Sequence, residues 1–229
     1  MLLGLDVGGT FTDAVIIDGH RVVATAKRRT TKDNLMNGIG EALDAVLEGY
    51  DTSNIEQVTL STTVVTNTIV EEKEQVVDLY VVTGPGRNVD DIFPVKPIYL
   101  QGYTDHRGIV VERTPADAVH GIVNMVQTRS GNDLAAVSAK FGVRNPQEEL
   151  SITEELKNTY HTISNGSLLS GSLNFPRRTI SAYFNSAVTP VFTVFKKNVE
   201  DALSARNILA PLHILKADGG SLPMEHMVS

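Results

Sequence analysis

The stretch Leu2-Leu3-Gly4-Leu5-Asp6-Val7-Gly8-Gly9-Thr10-Phe11-Thr12-Asp13 constrains the chain more than any other. An apolar run leads into two glycines, two hydroxyls and a carboxylate. Ala14 to Ile17 is apolar again, Asp18-Gly19 is a hairpin signal, and Arg21 to Ala26 is a third strand-like piece. The pattern predicts a three-stranded antiparallel meander whose first turn is unusually polar. A glycine-rich turn has a plain structural reading, since such turns are common between strands. The series Gly-Gly-Thr-x-Thr-Asp nevertheless exceeds what a hairpin needs. Glycines let backbone N–H groups converge on an anion, and threonine hydroxyls add donors. Asp6 would be repelled by that anion unless a magnesium ion sits between them. The pattern Gly-x-x-x-x-Gly-Lys-Ser/Thr is absent, which excludes a P-loop. A dinucleotide fingerprint is followed by a helix, whereas a second strand follows here.

The rest of the chain alternates helices and strands, which argues an α/β class. Asp33 is a candidate N-cap for a helix carrying Leu35, Met36, Ile39, Leu43, Val46 and Leu47 at helical spacing, with Gly49 as its stop. Gly38 and Gly40 weaken that helix. Val58 to Ser61 reads as a strand, Thr63 to Lys73 as a helix, and Val76 to Val82 as a buried strand. Gly, Pro and Asn break the pattern from 84 to 108, which predicts an irregular insertion. Strands follow at Ile109–Arg113 and Leu134–Ala139. Between them Thr114-Pro115-Ala116-Asp117 opens a helix with Thr114 as cap. A further helix starts near Pro146, residues 160–164 are extended, and two helices separated by Pro190 are expected between Arg177 and Ala205. The apolar stripe of that last segment reads as ordinary core. Leu212 to Ala217 is a last strand, ending in Asp218-Gly219-Gly220. The acidic runs at Glu71–Glu74 and Glu148-Glu149 are expected to be solvated helix faces.

Composition closes off several classes. A net charge of -7 gives no general attraction to a phosphate backbone, so nucleic acid is not an expected partner. The absence of cysteine removes thiol nucleophiles, Cys-based zinc sites and disulfides. The six histidines have no metal-ligand spacing and are expected at the surface or in the core. No segment approaches the ~18 apolar residues of a membrane span, so no membrane partner is expected and the location expected is cytoplasmic.

The Asp6-Val7-Gly8-Gly9-Thr10-Phe11-Thr12-Asp13 hairpin resembles the first phosphate motif of the actin, sugar kinase and Hsp70 superfamily. Within it the whole chain is similar to the N-terminal portion of the hydantoinase/oxoprolinase A family. Ser61-Thr62-Thr63-Val64-Val65-Thr66-Asn67 resembles the family's H-G-T-T-x-x-T-N segment, and Phe141-Gly142-Val143-Arg144-Asn145-Pro146 its S-V-R-N-P-like stretch. Arg177-Arg178-Thr179-Ile180-Ser181-Ala182-Tyr183 resembles its R-x-x-T-x-x-N-A-Y-like helix start, and Leu215 to Gly220 the strand and turn leading towards its second half. The departures are Leu60-Ser61 for His-Gly, Thr83-Gly84-Pro85-Gly86-Arg87-Asn88 for a T-x-G-F-R-D-like segment, and Ser181-Ala182-Tyr183 for N-A-Y. They loosen any assignment of substrate.

The resemblance implies a ribonuclease H-like, actin-like ATPase lobe: an antiparallel meander, a mixed sheet flanked by helices, and additional α/β elements. It implies an actin-like lobe over 1–172 with the insertion near 84–108, and a truncated following domain over 173–229. Gly8, Gly9, Thr10 and Thr12 would line the phosphates of ATP, with Asp6 near Mg and Asp13 in the same polar cluster. Thr62, Thr63 and Asn67 face the cleft in one reading; in the other, the threonines cap the next helix. No second glycine-rich phosphate motif occurs, so an N-terminal piece of a longer protein is expected, with catalytic residues beyond Ser229. The activity implied for the whole protein is ATP-dependent opening of a cyclic amide. The alternatives are a subunit of a ketone carboxylase of the same family and a sugar kinase-like protein. A nucleotide and a small-molecule substrate are the expected ligands, and a B-type partner subunit or a homo-oligomer is open. A non-catalytic lobe used for assembly is a further reading.

Overall fold

Burial alternates along the first strands of the chain, and helical spacing builds what covers their inner face. In the computed structural model, which describes residues 1–30, 35–86 and 90–227, the elements follow in this order. The meander is β1 (Leu2–Val7), β2 (Phe11–Asp18) and β3 (Arg21–Arg29), followed by α1 (Leu35–Leu47), β4 (Gln57–Thr62) and α2 (Val64–Val70). Then come β5 (Asp78–Val82), β6 (Ile98–Tyr99), β7 (Tyr103–Thr104), β8 (Val110–Glu112), α3 (Ala116–Ser130), β9 (Leu134–Ala139) and α4 (Gln147–Leu156). The chain continues with β10 (Thr162–Asn165), α5 (Gly166–Leu169), α6 (Phe175–Ser204), β11 (Leu212–Leu215) and β12 (Ser221–Pro223). Asp33, Arg87 and Asn88 lie outside the described residues, as do the side chains of Leu35 and Met36.

These elements form two compact units, one from Met1–Lys73 and Pro190–Ser229, the other from Glu74–Thr189. The units interleave in sequence, unlike the consecutive 1–172 and 173–229 division expected. The reason is that β11 returns to pair with β4 in the first sheet.

The first unit holds a six-stranded mixed sheet in the order β12-β11-β4-β1-β2-β3. Leu3, Leu5 and Val7 of β1, with Ala14 and Ile16 of β2, turn to one face. There they bury against Ile39, Leu43 and Val46 of α1 and Phe192, Phe195 and Val199 of α6. Gly38, a weakness by propensity alone, is a packing requirement: a Cβ there would stand 3.0 Å from the Arg29 carbonyl oxygen. The alternate positions of the strands line a groove of about 610 Å³ on the other face, among them Leu2, Gly4, Asp6, Asp13 and Val15. The Asp218-Gly219-Gly220 turn closes the antiparallel pair β11–β12, with the Lys216 N–H donating to the Gly220 carbonyl at 2.7 Å.

The second unit centres on an all-parallel sheet, β10-β9-β5-β6. Every residue of β5 and β9 is buried, as expected for parallel strands covered on both faces. Tyr80, Val82, Val137 and Ala139 pack with α3 and α4 residues, while Leu79, Val81 and Ala136 pack with Phe175, Ala182 and Tyr183 of α6. Asp78, the lone acid in this run, accepts hydrogen bonds from Tyr160 (2.8 Å), Ser130 (2.9 Å) and Asn132 (2.8 Å). Tyr160 also meets the Tyr80 hydroxyl at 2.6 Å. Burial raises the pKa of both tyrosines, that of Tyr160 to about 12.

Four expectations change. The two helices expected around Pro190 are one, α6. Proline removes the N–H that the Ser186 carbonyl would accept; the neighbouring Ala187 carbonyl accepts the Gln75 N–H at 3.2 Å. Thr114 does not cap α3: its hydroxyl donates to the Gln101 carbonyl and its N–H to the Glu148 carboxylate, both at 2.5 Å. Glu148 and Glu149 are buried rather than solvated, because each carboxylate receives backbone N–H groups from neighbouring segments. Helix α2 stops at Val70, short of Lys73, after a run rich in β-branched residues.

Candidate functional site

Strand register assembles the site. Parallel pairing sets Asp6 opposite Ser61 and Val7 opposite Thr62. The Gly8–Thr10 turn after β1 therefore meets the Thr62–Thr63 corner after β4. The Gly8 N–H donates to the Phe11 carbonyl at 3.0 Å and closes the hairpin. Neither Gly8 nor Gly9 has a positive φ, so these glycines supply room rather than left-handed backbone. A Cβ on Gly9 would lie 3.2 Å from Asn67 Nδ2, and one on Gly8 would lie 3.2 Å from the Phe11 carbonyl oxygen.

Gly8, Gly9, Thr62, Thr63 and Asn67 line one pocket of about 310 Å³. The Thr62 hydroxyl donates to the Val7 carbonyl at 3.0 Å and accepts from the Val64 N–H at 3.1 Å. It thus ties β1 to the start of α2 while lining the pocket. Thr63 holds the N-cap position without a capping side-chain bond, and its hydroxyl accepts from Asn67 Nδ2 at 3.2 Å. These are neutral donors and small side chains, the kind of surface that accepts an anion without a fixed countercharge. Lys73 also lines the pocket, 2.5 Å from Glu71. Sequence reasoning passed over it as part of a charged run. The missed signal was the β-branched 64–70 segment, which ends α2 early and turns Lys73 back towards the glycines.

The other expected residues sit elsewhere. The alternation of β2 sends Thr12 to the core face, where its buried hydroxyl pairs with that of Thr30 at 3.0 Å. Thr10 is exposed at the turn and its carbonyl accepts the Thr30 N–H at 2.8 Å. Asp6 and Asp13 are register partners on the opposite sheet face, in the larger groove. Asp13 is held by Lys27 at 2.7 Å. Among the described residues no group of three His, Asp or Glu side chains gathers as a metal site, and His120 pairs with Glu155 at 2.5 Å.

The model of the hydantoinase/oxoprolinase N-terminal region matches residues 2–160. The chain belongs to the hydantoinase/oxoprolinase family. Its mixed α/β fold is shared with part of two larger solved enzymes. An acetone carboxylase, solved nucleotide-free in work on ATP-dependent acetone carboxylation, superposes with a TM-score of 0.80. It is 16% identical, and the match covers 100% of this chain and 38% of that one. The ATP-dependent caprolactamase from Pseudomonas jessenii superposes with a TM-score of 0.76 at 19% identity, over 97% of this chain and 36% of that one. This family chain therefore spans little more than a third of the length of those two enzymes. No curated protein matches it. No helix among the described residues is long and apolar enough to cross a membrane.

Proposed function

We propose that the glycine pocket of the first unit holds the phosphates of ATP, and that the whole protein opens a cyclic amide of the 5-oxoproline or hydantoin type at the expense of ATP. One observation carries the reading: strand register brings Gly8, Gly9, Thr62, Thr63 and Asn67 around a single pocket. Family membership supports the class of chemistry. The volume of about 310 Å³ suits a phosphate tail rather than a complete nucleotide, in line with a site completed by further protein.

The residues that line the pocket suit phosphate oxygens. Backbone N–H groups of the turn and the Asn67 amide would hold phosphate oxygens, with the Lys73 ammonium at the margin. Asp6, which lines the larger groove on the other sheet face, is the proposed magnesium contact, reaching the ion only through water. A single carboxylate suits an ion that keeps several waters and takes its other ligands from phosphate. Thr10 belongs to the same phosphate turn, and Asp13 and Thr12 support it through Lys27 and Thr30. Bound ATP would supply a phosphoryl group that activates the amide carbonyl carbon, so that after water adds there the ring C–N bond breaks, the nitrogen leaves as the amine, and phosphate is released when the resulting acyl phosphate is hydrolysed. Positioning and charge neutralisation are what a protein adds to such transfers.

Residues 1–229 are expected to bind MgATP weakly and to hydrolyse none. Calorimetric titration and a phosphate-release assay check both. Steady hydrolysis by this chain, abolished in Asp6→Ala, refutes the view that one wall of the site is inert. For the whole protein with any B-type partner subunit, coupled ATPase screening of cyclic amides, ketones and sugars separates the substrate classes. A ketone-dependent signal alone transfers the assignment to the carboxylases, and a sugar-dependent signal alone to sugar kinases.

A further inference from the structure

Two stretches of the second unit have no place in the ATP pocket: Thr83-Gly84-Pro85-Gly86 and Phe141 to Pro146. Both leave the carboxyl ends of neighbouring parallel strands, β5 and β9. The chain passes from β5 to β6 on one side and then to β9 on the other, so strand order reverses between β5 and β9. Open α/β sheets bind their ligands outside the carboxyl ends at such a reversal.

The turn after β9 is held with unusual firmness. The Ala139 N–H donates to Glu149 at 2.8 Å. Its carbonyl accepts from Arg178 at 2.8 Å and from the Gly142 N–H at 3.0 Å. The second Glu149 oxygen takes the Ser167 N–H at 2.8 Å and its hydroxyl at 2.5 Å. Glu149 and Arg178 are fully buried. Buried charges are a poor source of stability, and Phe141 at φ 65° occupies a region that non-glycine residues avoid. A plain turn needs none of this. The whole apparatus fixes the residue between Ala139 and Phe141.

That residue is Lys140. Its N–H donates to the Val82 carbonyl at 2.8 Å, across the gap between β9 and β5. Its ammonium stands 5.6 Å over the Phe141 ring, and a Cβ on Gly86 would lie 3.4 Å from it. It is half-buried and makes no ion pair among the described residues. Beside it, Gly84 lies against the Tyr103 ring. A single positioned cation flanked by aromatic surface and glycine backbone suits a small organic monoanion better than a polyphosphate.

We infer that the carboxyl edge of the second unit, between β5 and β9, is a binding site for a small carboxylate, with Lys140 as the group that pairs with it. The inference is independent of the ATP reading. It is tested on the full 229-residue chain, labelled with nitrogen-15, by following amide shifts during addition of three probes. These are cyclopentanecarboxylate, the neutral cyclopentanecarboxamide and inorganic phosphate. The expected result is saturable shifts at Gly84, Gly86 and Lys140–Gly142 with the carboxylate. Binding is weaker by roughly tenfold or more with the amide, with phosphate, and in Lys140→Gln, and it is retained in Lys140→Arg. Lys140→Gln is expected to melt with the parent, since this side chain holds no partner carboxylate. The inference is overturned by the absence of saturable shifts at those amides, by equal affinity for the amide, by tighter binding of phosphate, or by unchanged affinity in Lys140→Gln. The comparison of probes on the unaltered chain decides the matter even where a variant fails to fold.

Discussion

Adding one methyl group to each glycine of the first hairpin separates the structural need for space from the functional one. In Gly9→Ala the new Cβ meets Asn67 Nδ2 at 3.2 Å, the free end of a side chain that can withdraw. Withdrawal forfeits the 3.2 Å bond to Thr63, a loss of roughly 0.5–1.5 kcal/mol. The smaller entropy of the unfolded chain returns about 0.4–1 kcal/mol. Gly9→Ala is thus expected within about 1 kcal/mol of the parent in urea unfolding. In Gly8→Ala the Cβ meets the Phe11 carbonyl oxygen, backbone that closes the hairpin and cannot withdraw. Overpacking of that kind costs roughly 1–3 kcal/mol. The order reverses in what it reveals about function. A folded Gly9→Ala chain carries a methyl in the pocket and has lost the Asn67 placement. Loss of one charge-assisted bond corresponds to roughly 10- to 100-fold weaker MgATP binding. Calorimetric titration with MgATP, run beside urea unfolding, checks both halves. A Gly9→Ala chain that folds normally and binds MgATP as the parent does refutes the phosphate cradle. Equal stability of the two variants refutes the packing argument.

Other outcomes follow from the second unit and from Asp6. Asp78→Ala leaves the Tyr160, Ser130 and Asn132 donors without their acceptor; roughly 2–5 kcal/mol of stability is expected to go, measured by denaturant unfolding. Both Tyr80 and Tyr160 are raised by burial above the ordinary tyrosine value of 10.0, Tyr160 to about 12. Unfolded tyrosines ionise first, so stability is intact below pH ~10 and falls as pH rises from there towards the folded values; tyrosinate absorbance against pH, with Tyr160→Phe as comparison, reads this directly. Gly84→Ala places a Cβ 2.3 Å from the Tyr103 ring at φ 60°; a cost of roughly 2–4 kcal/mol is expected, and Tyr103→Ala in the same chain recovers part of it. Asp6→Asn is expected to leave metal-free ATP binding unchanged and to remove most of the gain from magnesium, measured by titration with and without the ion.

Much of the frame was legible because it rests on local periodicity. The apolar runs at 2–7 and 14–17 around the glycine turn specified β1 and β2, the nearly continuous run at Val76–Val82 specified a buried strand, and Leu134–Ala139 read as a further strand. The polar hairpin between β1 and β2 was read from the same stretch, whereas a place for Thr62, Thr63 and Asn67 beside it was implied only by the family resemblance; the pairing of β4 with β1 puts them around one pocket with Gly8 and Gly9. What escaped was set by partners far away in sequence. Glu148 and Glu149 resemble any charged helix start, and only Thr114, Ala139 and Ser167 make them interior. Thr12 looks like a phosphate donor until Thr30 takes its hydroxyl. Pro190 signals a break by rule, yet α6 runs through it, with core residues on both sides of the proline. The family itself was readable from the order of short motifs, and the match over residues 2–160 bears that out.

The interleaving of the two units bears on how the molecule comes into being on the ribosome. The strand that completes the first sheet beside β4 is β11, which emerges only after all of Glu74–Thr189 has been made. The second unit is one uninterrupted stretch and closes its own contacts as it emerges. The first unit must meanwhile wait with one side of β4 unpaired, a condition that invites mispairing. A nascent chain halted before Leu212 therefore carries a finished inner segment and an unfinished outer one. Chaperone contact, where it occurs, belongs to the amino-terminal strands synthesised first.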